Sequence, residues 1–276
     1  LTGATTLLAK FSFPLDTANT TKVIPFNGSA KIKNANIPNI LLGNDFNNGE
    51  LKINVDQGKI LISGTSILNG DTFTFKQEKL FSSHGKNLGT KEFSLTLTPS
   101  DLEKLDLTIP LEVDGMISVT AKIEDLSDGI SKINAVIDLI NAQASIPQLN
   151  WEKPRGSAGR LHIEADIRNN KLIQMNTINL VAADLSLDAR AYFDKESSRL
   201  DEIIINNLSI GNSKINGIIR SKNKDYYHAT LRGTNINLNR FIAKNNNLQN
   251  STKRTVSISA NFDQVLLWDL PPLKNA

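Results

Sequence analysis

Apolar and polar residues alternate along most of this chain. Ser29-Ala30-Lys31-Ile32-Lys33-Asn34-Ala35 has the period-two pattern of a half-buried strand. Asn48-Gly49 then leads into Leu51, Ile53 and Val55 on one face, with Lys52, Asn54 and Asp56 on the other. Gln57-Gly58 turns the chain, Lys59 to Gly64 returns it, and Asn69-Gly70-Asp71 turns it again before Thr72 to Lys76. Asn-Gly between alternating runs is a strong hairpin signal. Connections this short leave no room for crossover helices, so the strands are expected to be antiparallel.

The pattern continues beyond this first block. Phe93 to Thr98 is a strand candidate, and Ile117, Val119, Ala121 and Ile123 alternate with Ser118, Thr120, Lys122 and Glu124. Asp128-Gly129 turns into Ile133 to Ala144, a more continuously apolar run. Leu161, Ile163, Ala165 and Ile167 alternate with His162, Glu164, Asp166 and Arg168. Leu172 to Val181 follows, and then Leu185, Leu187, Ala189, Ala191 and Phe193. The segments 203–210, 214–220, 227–232, 235–241 and 256–262 complete the set. Four stretches depart from the pattern. Thr5 to Phe13 is a strand stopped by Pro14, and Ile37 to Gly43 is a short helical turn or an apolar loop. Pro99 to Leu105 is a short helix, capped by Ser100 or Asp101 with Glu103 three residues after Ser100. Asn245 to Arg254 is a polar linker. The fold class is therefore all-β: a long curved antiparallel sheet of meander hairpins with one apolar and one polar face, and one or two short helices.

Composition sharpens this picture. Hydrophobic residues make up 39% of the 276 residues and aromatics only 6%, which favours a thin, extended core over a thick one. The net charge of +3 comes from 31 basic and 28 acidic residues interspersed along the chain, so no nucleic-acid partner is expected. The absence of Cys excludes disulfides and thiolate metal sites. No apolar run of about 18 residues exists to span a bilayer as a helix. A chain that opens on Leu1-Thr2-Gly3 and ends on Leu270 to Ala276 reads as a piece of a longer protein.

Catalytic chemistry is not apparent. His84, His162 and His228 have no second His or Cys at ligand spacing, and His162 shares a polar strand face with Glu164. There is no Gly-x-Ser-x-Gly elbow or P-loop. The expectation is a protein without catalytic activity, metal or cofactor. Trp151-Glu152-Lys153-Pro154-Arg155-Gly156 can be read in two ways. The indole covers a sheet edge or sheet end while residues 153–156 form an exposed turn, or Trp151, Lys153 and Arg155 together meet anionic headgroups.

That hexapeptide resembles the Trp-x-Lys-Pro-x-Gly signature of AsmA-like envelope proteins of the YhdP type, which makes Trp151, Lys153, Pro154 and Gly156 the marker residues. Ile37-Pro38, Asp45 and Gly49-Glu50-Leu51-Lys52-Ile53 resemble that family's Leu-Pro…Asp-Leu…Gly-x-Leu block, and Ile62-Ser63-Gly64 with Leu68-Asn69-Gly70 its next hairpin. Leu231-Arg232-Gly233-Thr234-Asn235-Ile236 resembles a Gly-x-x-Leu-Asp block, although Asn237 stands where Asp is usual. The order of these motifs, from about Phe26 to Phe241, carries more weight than any one of them.

The resemblance implies a periplasmic protein anchored to the inner membrane through an N-terminal helix that lies outside this chain. Its β-sheet would be rolled into a taco-like groove that shields phospholipid acyl chains passing between the inner and outer membranes. Other envelope proteins would be its partners. On this view residues 1–244 form the groove region, in sub-blocks 1–98, 99–148 and 149–244, and residues 245–276 are a linker and the start of a further β repeat. The groove would be lined by Leu51, Ile53, Val55, Ile117, Val119, Ala121, Ile123, Leu161, Ile163, Ala165, Ile167, Leu185, Leu187, Ala189 and Ala191. Two other functions stay open: a structural envelope scaffold with a closed β core, and a β-helical enzyme acting on polysaccharide.

Overall fold

The computed structural model describes residues 2–11, 26–41, 44–68, 71–82, 87–104, 111–169, 171–194, 197, 199–223, 226–239, 255–267 and 273–274. The first strands are β1 (Thr2–Phe11), β2 (Phe26–Leu41), β3 (Asn44–Val55), β4 (Lys59–Leu68), β5 (Asp71–Leu80) and β6 (Asn87–Leu97). After helix α1 (Pro99–Lys104) come β7 (Glu112–Gly115), β8 (Ile117–Leu126), β9 (Ile130–Asp138) and β10 (Ala142–Ile146). A single 3₁₀ turn, Pro147–Leu149, leads into β11 (Trp151–Lys153). Then follow β12 (Gly159–Arg168), β13 (Lys171–Ala182), β14 (Leu185–Phe193), β15 (Leu200–Ile210) and β16 (Ser213–Asn223). The last are β17 (Tyr226–Asn237), β18 (Thr255–Leu266) and β19 (Leu273–Lys274).

The protein is all-β. One open sheet, not closed into a barrel, takes its strands in the order β1-β2-β3-β4-β5-β6-β8-β9-β12-β13-β14-β15-β16-β17-β18-β19. A separate three-stranded sheet has the order β11-β10-β7. Neighbours in sequence are mostly neighbours in space, as short hairpins require. Among the pairings with a described register, only β17 with β18 is parallel. This departs from the expected run of antiparallel hairpins. Residues 238–254 separate the two strands in sequence, and a connection of that length permits a parallel pair. The regular parallel rungs of a β-helix do not occur among these pairings.

Two local expectations are corrected. Ile37 to Leu41 was expected to leave the strand pattern as a turn or loop, but β2 continues through Leu41. Its register against β3 shifts three times on the way, and Asn34 and Asn48 take positive φ angles of 51° and 52°. Asn accepts that conformation more readily than most residues, so bulges absorb the break in periodicity. Helix α1 forms where predicted, with its cap at Thr98, before the expected Ser100 or Asp101. The Thr98 backbone N–H donates to the Asp101 carboxylate at 3.0 Å and its hydroxyl donates at 2.7 Å, while the Asp101 N–H donates to the Thr98 carbonyl. Pro99 follows that cap at the first helical position, where a missing N–H does no harm. The expected linker, 245–254, lies outside the described residues.

The chain divides into two compact units, Leu1–Leu107 with Ser118–Lys132, and Thr108–Ile117 with Ile133–Ala276. In the first unit, Ile32, Leu51, Gly64, Phe75 and Phe93 stand in register across five strands. All five are buried. A Cβ on Gly64 would lie 2.5 Å from Leu51 and 2.7 Å from Phe75, so the missing side chain lets its neighbours close over it. The next row, Ala30, Ile53, Ile62, Gln77 and Lys91, turns polar at β5.

In the second unit the apolar face is continuous. Leu161, Leu180, Leu187, Leu208, Ile215, Gly233 and Phe262 form one cross-strand row. Ile163, Ile178, Ala189, Ile205, Gly217 and Leu231 form the next. Ala165, Met175, Ala191, Ile203, Ile219 and Ala229 form a third. Extra residues on β13 and β15 form bulges that keep these rows aligned although the strands differ in length. The reverse face carries polar rows such as His162, Asn179, Asp188 and Asn207.

Candidate functional site

The apolar face of the second unit is the candidate site, and its pattern of burial is unusual. Ala165, Ala189, Ala191 and Ala229 are buried. The larger Ile163, Ile178, Ile203, Ile205, Ile219 and Leu231 around them are only half-buried, and Ile258 on β18 is 62% exposed. A second layer packed on this face would cover the large side chains first. Among the described residues, the small ones are instead screened by their larger neighbours, as on a face whose outer surface is uncovered.

Burial increases toward one end of these strands. Gly159, Ala182, Leu185, Ile210 and Ser213 form a terminal row, and all five are buried. The Ser213 hydroxyl accepts the Asn237 N–H at 2.9 Å, so the polar member of the row is satisfied. At β12 and β13 this end is covered by β11. A Cβ on Gly159 would sit 2.6 Å from Lys153 Cε and 3.2 Å from Ala182 Cβ, which places the Lys153 stem directly over that row.

The marker motif is therefore split between interior and surface. Trp151 is 2% exposed and Lys153 0%, whereas Glu152, Pro154, Arg155 and Gly156 are exposed. Strand alternation puts Trp151 and Lys153 on the same face of β11. The Lys153 ammonium donates to the carbonyls of Ala142 at 2.8 Å and Pro154 at 3.0 Å. Burial pushes its pKa below the ordinary value, and the Asp138 carboxylate partly offsets that push. This overturns both sequence-based expectations for Lys153: it belongs neither to an exposed turn nor to a headgroup-binding pair. The physical reason is that its four-carbon stem is apolar and two backbone carbonyls lie within reach of its head. Residues 154–156 do form the exposed turn, with the Gly156 N–H donating to Ile140 O at 2.7 Å and φ at +84°. Arg155 lies 3.5 Å from the Asp114 carboxylate.

The shifted pKa of Lys153 sets a sign for stability against pH. The unfolded chain binds a proton more tightly at this lysine, so stability is expected to rise with pH between the folded value and 10.5. Urea denaturation followed upward from neutral pH should show this rise, and Lys153→Met should remove it.

The Trp151 indole N–H is buried and has no acceptor among the described residues. A buried unpartnered donor costs about 1–3 kcal/mol. Trp151→Phe deletes that donor and keeps most of the ring packing, so it should be far milder than Trp151→Ala, for which about 3–5 kcal/mol is expected. Denaturant midpoints of the two variants test this, and equal losses would show that the N–H has a partner.

The other predicted lining residues are less alike. Leu185, Ala165, Ala189 and Ala191 are buried, while Leu161, Ile163, Ile167 and Leu187 are half-buried on the same face. In the first unit Leu51 is buried in the Phe75 row, and Ile53 and Val55 are half-buried beside it. Val119, Ala121 and Ile123 are half-buried on β8, and Ile117 at its start is buried. Alternation puts Asp125 on the same face of β8, where it accepts from Lys91 at 2.8 Å and from Ser131 at 2.7 Å. Phe262, which packs over Gly233 in the Leu-rich row, was not singled out from the sequence, and neither was Gly159.

The polar face holds exposed or half-buried ion pairs, including Lys59 with Glu78 at 2.9 Å and Arg220 with Glu202. His162 Nε2 lies 3.9 Å from Glu164, and His228 contacts Ser257 and Thr230. His84 lies outside the described residues. No group of three or more His, Asp or Glu side chains is placed to hold a metal among the described residues. No described helix is long and apolar enough to cross a membrane. No protein-family model, curated protein or solved structure matches the chain.

Proposed function

We propose that this chain is a non-enzymatic segment of an AsmA-like envelope protein, located in the periplasm, whose apolar sheet face shields phospholipid acyl chains as they move between the inner and outer membranes. The observation that carries this reading is the burial in the Ile163 and Ala165 rows of the second unit: Ala165, Ala189 and Ala191 are buried while Ile163, Ile178, Ile203, Ile205 and Ile219 are only half-buried. An acyl chain laid on those rows would complete the burial, at about 0.8 kcal/mol for each CH₂ removed from water. The side chains offered are Ile, Leu, Ala and Met. They make weak, non-directional contacts, which suit movement along a surface better than tight capture. The expected anchorage to the inner membrane and the other envelope partners belong to the same proposal.

Purification of the protein in mild detergent, followed by solvent extraction and mass spectrometry, tests this. At least about one phospholipid per chain is expected, since an apolar face this continuous, left half-open among the described residues, is otherwise solvated unfavourably. A lipid-free preparation that remains folded would contradict it. The closed-core scaffold has specific observations in its favour: the Ile32, Leu51, Phe75 and Phe93 row is buried in the first unit, and Leu180, Leu185, Leu208, Ile210 and Ile215 are buried in the second.

A further inference from the structure

Lys153 is a charged side chain with no exposed surface, and its two protein acceptors are backbone carbonyls. One of these, Ala142 O, belongs to β10, which pairs with β11 on one side and β7 on the other. The stem of Lys153 lies over Gly159, and Gly159 pairs with Ala182 at the start of the terminal buried row. Three further contacts fasten the same piece. Leu139 N–H donates to Gly159 O at 2.9 Å, Gly156 N–H to Ile140 O, and Arg155 lies beside Asp114 on β7. Away from this covered end, the rows running through Ile163, Ile178 and Ile205 open to half-burial. We infer that Lys153 is a positioning residue that latches the β7-β10-β11 sheet over Gly159 and Ala182, and that the latched sheet sets the limit beyond which a bound acyl chain does not extend.

The inference rests on the acyl-binding function proposed above, and it predicts more than a general contribution to stability. A packing residue of the core weakens the whole unit when altered. A latch weakens only what it fastens. Glycine at 159 is part of the device, because any side chain there would occupy the space of the lysine stem. Two variants therefore release the latch in different ways. Lys153→Met keeps the stem and removes the donors. Gly159→Ala keeps the lysine and displaces it with a methyl group.

Backbone hydrogen exchange on the protein and on both variants, with lipid extraction from the same preparations, tests the latch. Amides of 142–153 are expected to exchange at least about tenfold faster in each variant, with amides of 161–219 unchanged, as a local opening requires. Bound acyl lipid per chain should rise in both variants, because the terminal row becomes accessible. Uniform acceleration across 142–219 would make Lys153 an ordinary core residue and overturn the inference, as would unchanged exchange at 142–153. If the unaltered protein carries no acyl lipid, the proposed function fails while the exchange pattern still decides whether a latch exists. If it carries lipid and both variants carry the same amount, the boundary role fails while the proposed function stands.

Discussion

Ile210→Asp is expected to unfold the second unit, while Ile163→Asp and Leu187→Asp leave it folded and strip it of bound lipid. All three positions lie on the same apolar face. They differ in surroundings. Ile210 is 0% exposed in the terminal row, so a carboxylate there is cut off from water. Burial of such an unpaired charge should cost about 4 kcal/mol or more, enough to unfold a domain of ordinary stability. Ile163 and Leu187 keep part of their surface in solvent, and a carboxylate at either can turn outward. The loss in stability should stay near about 1 kcal/mol. An acyl chain, however, would then have to cross a charge. Circular dichroism with thermal melting, alongside lipid extraction, separates the two effects. Unfolding by Ile163→Asp and Leu187→Asp would instead favour a closed core.

Gly233→Val is expected to have the second large effect, through backbone geometry. Gly233 pairs with Ile215 on β16 and Phe262 on β18. A Cβ there would fall 1.9 Å from the Lys214 carbonyl oxygen and 2.8 Å from the Phe262 ring. The first obstacle is backbone and cannot rotate away. Either β16 and β17 separate or β18 loses its register, at a cost of about 3 kcal/mol or more. A fall in the urea midpoint should accompany faster hydrogen exchange in β17 and β18. Gly28→Ala is the matching control, because a Cβ at Gly28 would meet nothing within 4 Å.

Most of the sheet was legible in the sequence because its hairpins are short and its strands keep period two. Gln57-Gly58, Asp128-Gly129 and the run from Leu161 to Arg168 fix both the turns and the apolar face. The predicted apolar positions from Leu161 to Ala191 do share one face, because the register that pairs Leu161 with Leu180 and Leu187 leaves no alternative without exposing all of them. Bulges were not legible. Asn34 looked like a strand residue, and its left-handed conformation appears only once β2 must stay paired with β3 past Ile32. The parallel β17–β18 pair was hidden for a different reason: a long connection permits either strand direction.

The place of Lys153 was the least legible feature. A lysine after Trp-Glu and before Pro reads as surface, since lysine is rarely fully buried. Its burial depends on Gly159, six residues later, and on the Ala142 carbonyl, eleven residues earlier. The signal was the alternation of Trp151, Glu152 and Lys153, which already placed Trp and Lys on one side of the strand. The hexapeptide marks the end of the apolar face and does not meet a ligand headgroup through its lysine.

On the proposed function, acyl chains would lie on the apolar face of β12 to β16, which is only half-buried among the described residues. Photo-crosslinking with phospholipid carrying a diazirine along its acyl chain, mapped by peptide mass spectrometry, tests this most directly. Adducts are expected on Ile163, Ile178, Leu187, Ile205 and Ile219, and not on His162, Asn179 or Asp188 of the reverse face. Adducts spread equally over both faces, or confined to the reverse face, would contradict the account.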